Sequence, residues 1–192
     1  MAHSQEEHVE HAEHAAEHGN RAAALLIAIL AAGLAICEQQ GKHAEIAVEA
    51  NAVLAADTWN EYQAKSVRSA IAQDLERLIG TLDAPAEPAL AARRTEVLKQ
   101  LRGDREHYDN DPGNGKAALA RQARRYETLR DASVERSHTY DNAAAALELG
   151  IVLSTASVIT SAKMLLRFAY VMGAIGVVLG IFGAVAPQLV VF

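Results

Sequence analysis

The sequence predicts an all-α membrane protein with three transmembrane helices. A long antiparallel helical hairpin, coiled-coil-like, stands between the first and second spans. Three observations carry that prediction. First, residues 143–192 hold only four charged or amide side chains, Glu148, Lys163, Arg167 and Gln188. Crossing a hydrocarbon core takes about 20 apolar helical residues, so this stretch has room for two spans. Second, a further apolar run covers Ala22 to Cys37. Third, only 4 prolines and 12 glycines punctuate 192 alanine-rich residues, which favours helix throughout.

Residues 1–20 form a polar leader to the first span. Ser4 followed by Glu7 fits a capping box. On a helix, His8, His11, His14 and His18 fall within about 120° of one face, with Glu6, Glu10, Glu13 and Glu17 on the other side. Imidazoles three and four apart can share Zn²⁺, Ni²⁺ or Cu²⁺. They also titrate near neutrality. The plainer reading is a solvated helix beside the membrane, and no cofactor is required by it. Residues 21–37 then read as a retained span rather than a cleaved signal, because an acidic segment precedes them.

Residues 38–142 form the expected stalk. No proline or glycine occurs from 42 to 79, which predicts one helix leaving the membrane. Ile46, Ala50, Val53, Ala64, Val67, Ile71, Leu75 and Leu78 mark a seam along it, interrupted by Asp57 and Asn60. Polar residues in such a seam set register or partner choice. Trp59, Tyr62 and Ser66 lie on the opposite face. Trp59 stands about 33 Å beyond Cys37, too far for an interfacial aromatic belt. Packing within the helical domain is expected of it, or contact with another subunit.

Gly80 and the prolines at 85 and 88 predict a turn, followed by a short helix over about 89–107. A second turn spans 109–115. Lys116 after Gly115 is no phosphate loop, since Asn110 stands where glycine is needed. The carboxylates of Glu106, Asp109 and Asp111 read as a solvated loop rather than a cation site. From Lys116 a second seam runs through Leu119, Ala123, Tyr126, Leu129, Ser133, Ser137, Tyr140, Ala144, Leu147 and Ile151. It leads straight into the second span, residues 143–162.

Glu148 is a charge inside that span, and such charges are costly and mark candidate sites. Glu38 borders the first span at the same membrane face. In an assembly around an axis the two would form a cation-attracting ring; the alternative is an interfacial carboxylate. A short basic hairpin, 163–167, precedes the last span, 168–192. There Gly173, Gly176, Gly180 and Gly183 form one stripe about 80° wide, a signal for close helix packing within or between chains. Arg21 and the Lys163–Arg167 hairpin share one face, which places the N-terminus in the cytoplasm and the stalk in a periplasm. Arg124, Arg125, Arg130 and Arg136 weigh the other way.

The net charge of −6 argues against nucleic acid. One cysteine, Cys37, allows no intramolecular disulfide. No nucleophile–base pattern, metal-hydrolase motif or nucleotide loop is present, so an enzyme is not expected.

The segment Ala56-Asp-Thr-Trp-Asn-Glu-Tyr-Gln-Ala-Lys-Ser66 resembles that of an uncharacterised bacterial inner-membrane family, domain of unknown function 4337. The likeness rests on Trp59, Tyr62, Gln63, Ala64 and Lys65, and on the acidic Pro-Gly-x-Gly turn between Tyr108 and Lys116. It implies a bacterial inner membrane and the three-span layout, and it implies no activity. The function expected from these features is that of a self-associating structural or accessory membrane protein. The alternative is a homo-oligomeric cation channel or pore gated by pH or metal.

Overall fold

A computed structural model describes residues 2–83 and 85–185, with side chains from Arg21 onward. Four helices make up the described residues, and no strand occurs among them: α1 (Ala2–Thr81), α2 (Pro88–Asn110), α3 (Lys116–Thr160) and α4 (Lys163–Val185). Parts of α1, α3 and α4 are long and apolar enough to cross a membrane, with mean hydropathies of 2.0, 1.7 and 2.2 over their best windows.

The helix ends follow local chemistry. Thr81 Oγ1 donates to Leu78 O at 2.7 Å, and the Arg94 guanidinium donates to Ile79 O and Asp83 O, so side chains close the last turn of α1. Pro88 opens α2 where a missing N–H costs nothing. In the turn that follows, Asp111 Oδ1 accepts from the backbone of Gly113 and Asn114 at 2.9 and 2.7 Å. Gly115 is required there. A Cβ on it would lie 2.6 Å from the Asp111 backbone.

α1 runs unbroken from its span-grade segment to Thr81, as the absence of breakers from 42 to 79 predicts, so it is one helix and not itself a hairpin; α3 likewise runs unbroken from Lys116 into its own span-grade segment. One expectation is corrected: the basic hairpin at 163–167 is displaced. The break is only Ser161-Ala162, with Ser161 in the left-handed region (φ 56°), while Lys163 and Arg167 already belong to α4. Ser157 Oγ donates to Ala162 O at 3.2 Å and supports this tight turn without a longer loop.

The chain forms two compact units, residues 1–48 with 131–192, and residues 49–130. In the first, Leu30, Cys37, Tyr140, Ala143 and Leu147 make the core. α1 and α3 run antiparallel, since Gly150, Leu147 and Tyr140 meet Leu30, Gly33 and Gly41 in that order. In the second unit, α1 and α3 are again antiparallel, with α2 beside α1 through Glu76, which accepts from Arg102 and from Arg105 Nη1 at 3.2 Å.

The expected seam of α3 faces inward in part: Leu119, Ala123, Ser137, Tyr140 and Leu147 are buried, Tyr126, Ser133, Ala144 and Ile151 are half-buried, and Leu129 is 45% exposed. The expected seam of α1 does not. Val53, Val67, Ile71 and Leu78 are each more than half exposed, and so is Ile46. The buried stripe of α1 in the second unit is Ala55, Thr58, Ser69 and Ala72, small residues that let helices approach closely.

Candidate functional site

Among the described residues the structure offers contact surfaces rather than a cleft with convergent reactive groups, so each candidate residue is located by the face it occupies. The four glycines of α4 point into their own unit. Gly173, Gly176 and Gly183 are buried. A Cβ at Gly173 would lie 2.5 Å from Leu30 Cδ2, and one at Gly176 would lie 2.6 Å from Leu147 Cγ and 3.0 Å from Ala143 O. At Gly180 and Gly183 the neighbours would be Cys37 Sγ and the Tyr140 ring, both at 3.1 Å. The stripe is therefore filled by side chains of the same chain.

Glu38 and Glu148 are both exposed. Leu147 packs on Gly33 and Gly150 on Leu30, which sets Glu148 level with Ala32. Glu38 lies six residues further along α1, about 9 Å away in level. The two acids are thus staggered rather than side by side. Glu148 shares an exposed face of α3 with Ala145, Val152 and Thr155, turned away from the buried Ala143, Leu147 and Gly150. His8, His11, His14 and His18 lie outside the residues whose side chains are described. Among the described residues no group of three His, Cys, Asp or Glu side chains converges as metal ligands.

Trp59 sits between α1 and α3. Its Nε1 donates to Glu127 Oε1 at 2.8 Å, and its ring meets Tyr62 edge to face, with centroids 5.4 Å apart. Further along, Ser69 Oγ donates to Asp109 Oδ1 at 2.8 Å, and Lys116 Nζ lies 2.7 Å from the same oxygen. Burial pushes the Asp109 carboxyl up, but the hydrogen bonds from Lys116 and Ser69 outweigh it and hold the group below its ordinary range. Asp111 is lowered by the backbone N–H groups of Asn114 and Gly113. Glu76 is lowered chiefly by its hydrogen bond from Arg102.

Asp57 and Asn60 are exposed on the outward face of α1, in line with Val53 and Val67. A second outward surface was not singled out from sequence. Ala118, Arg121, Gln122, Arg125, Tyr126 and Leu129 line a groove of about 560 Å³ along α3. Its signal was present, since arginines at 121 and 125 are one turn apart and lie off the Leu119–Ala123 stripe. Neither arginine forms an ion pair among the described residues, and neither does Asp57.

A family model described as a domain of unknown function (DUF4337) matches residues 19–186. No curated protein and no solved structure matches the chain.

Proposed function

Since the chain belongs to this family, domain of unknown function (DUF4337), whose description carries no activity, we propose that it is a self-associating structural or accessory protein of the bacterial inner membrane. The observation that carries this reading is the outward seam of α1. Val67, Ile71, Leu75 and Leu78 are 43–58% exposed at helical spacings of three and four, and Val53, 59% exposed, lies on the same face four turns earlier. An apolar stripe in that pattern fits another helix. Scattered apolar residues on a surface are ordinary, but a run along one face marks an interaction site. The glycine stripe adds nothing to association, because its space is already filled.

The second unit serves as the stalk in this reading, with α1 and α3 as its long coiled-coil-like arms. Arg21 and the Lys163–Arg167 pair support a cytoplasmic N-terminus and a periplasmic stalk. Arg21 precedes α1's apolar run, and the α3–α4 turn lies level with it, because Leu30 is opposite Gly150 in antiparallel helices. Light scattering of the detergent-solubilised protein tests the proposal. The expected protein mass is a multiple of 20.5 kDa, and a monomer would overturn it. Ile71→Asp with Leu75→Asp should shift the particle towards the monomer.

One observation favours the alternative, a homo-oligomeric cation pore. Glu148 is exposed on a span-grade helix, on the face opposite the chain's own packing. Lipid offers it nothing, so water or another chain must. The test is cation flux into liposomes. Flux lowered by Glu148→Gln supports the pore, and absence of flux removes it.

A further inference from the structure

We infer that neighbouring copies dock head to tail in the second unit: the Asp57–Asn60 stretch on the outer face of α1 of one copy meets the Arg121–Arg125–Tyr126 groove on α3 of the next. This rests on the self-association proposed above and names its geometry.

Three observations lead there. The first is charge. Asp57 interrupts an apolar seam and forms no ion pair among the described residues, while Glu61, one turn on, is bound to Lys65 at 3.3 Å. The groove on α3 carries two arginines without ion pairs among the described residues. Pairing α1 with α1 would set Asp57 against a second Asp57, and pairing α3 with α3 would set arginine against arginine. Only α1 against α3 neutralises both faces.

The second is level. Trp59 is hydrogen-bonded to Glu127 in antiparallel helices. Asp57, Asn60 and Ala64 are therefore level with about residues 129, 126 and 122, the stretch that lines the groove. Copies inserted the same way into one membrane, standing side by side, bring these stretches together without a shift.

The third is direction. The α1 face centred on Asp57 lies away from the buried Ala55, Thr58 and Ser69, and the exposed Arg121 and Arg125 lie off the buried Leu119–Ala123 stripe of α3, with half-buried Tyr126 at the inner edge of the groove. Donor and acceptor faces thus look outward from different helices of the unit. Such a contact is heterologous, and repetition closes it into a ring or extends it as an array. Leu129, 45% exposed, and the arginine stems cover the apolar rim of the seam.

Disulfide trapping in native membranes tests this. Cys37 is buried and stays out of the reaction. A chain carrying both Asn60→Cys and Tyr126→Cys should give a ladder of cross-linked oligomers on oxidation. Each single variant alone should stay uncrosslinked, and the two co-expressed should stop at dimers. Strong cross-linking of Asn60→Cys with itself would overturn the inference in favour of a symmetric α1 contact. No cross-linking, in a protein that still scatters as an oligomer, would overturn it while leaving self-association standing. A monomer throughout would remove both. Charge reversal gives a second measurement. Asp57→Arg and Arg125→Asp should each weaken association about tenfold, and the two together should restore it. If the double variant is no better than either single one, the pairing is wrong.

Discussion

The same two helices, α1 and α3, are held together in two different ways. In the unit that carries the span-grade segments, contact comes from what is missing. Glycines at 150, 173 and 176 leave room for Leu30 and Leu147 to fill. In the polar unit, contact comes from named donors and acceptors: Trp59 to Glu127 between α1 and α3, and Ser69 to Asp109 with Arg102 and Arg105 to Glu76 between α1 and α2. The difference follows from solvent. Lipid tails are as apolar as leucine, so a large side chain gains nothing by leaving them, and close packing must supply the attraction. Part-buried polar pairs such as these fix a geometry but depend on protonation.

Filling one of the glycine gaps should break the first mode outright. In Gly176→Val the new side chain would meet Leu147 Cγ and the carbonyl oxygen of Ala143, and the backbone atom has little freedom to yield. Overpacking of this kind costs about 1–3 kcal/mol. We expect the first unit to lose its protease-resistant core in detergent at temperatures where the wild type keeps it. Unchanged resistance would show that α4 is not packed as described.

Acid should separate the two modes next. Glu76, Asp109 and Asp111 all have folded values below their ordinary range. A lowered carboxylate stabilises the fold above its unfolded value, and that contribution disappears as pH drops through the folded one. The second unit should therefore loosen from about pH 4 downward. The core cluster of the first unit contains no carboxylate and should not. Trp59, the single tryptophan, reports on the second unit alone. Its fluorescence should change as pH falls below about 4 while the span segments stay resistant to protease. A flat signal down to pH 2 would mean these networks hold little of the unit.

The comparison also explains how much was legible in the sequence. Span-grade segments follow from composition, because length and apolar content are read directly from the sequence. The α3 seam was legible at Leu119, Tyr140 and Leu147, where the inward face carries the larger residues, but not at Leu129, which is exposed. The α1 seam was misjudged for the same reason in reverse. Its inward face is Ala55, Thr58, Ser69 and Ala72, and its bulky residues point outward. Hydrophobic size identifies a buried face only when burial is what positions the helix. Here hydrogen bonds between distant residues, such as Trp59 with Glu127, position it, and no periodicity reveals a partner 68 residues away. Glu38 and Glu148 show the same limit, since their stagger depends on which turn of α3 lies opposite Gly33.

A glycine with no packing duty gives the finest test of the contrast. Gly103 lies within α2, and a Cβ there would meet nothing within 4 Å. Alanine removes backbone freedom from the unfolded chain and disturbs no contact in the folded one. Gly103→Ala should stabilise the second unit by about 0.5–1 kcal/mol, read as a later urea midpoint of Trp59 fluorescence. The sign is opposite to that at Gly176, although both glycines are helical, because only one of them has a neighbour where its side chain would be. A loss of stability at Gly103 would mean that something covers that face of α2 in the assembled protein. The position would then join Asp57 and Arg125 as a point of contact between copies.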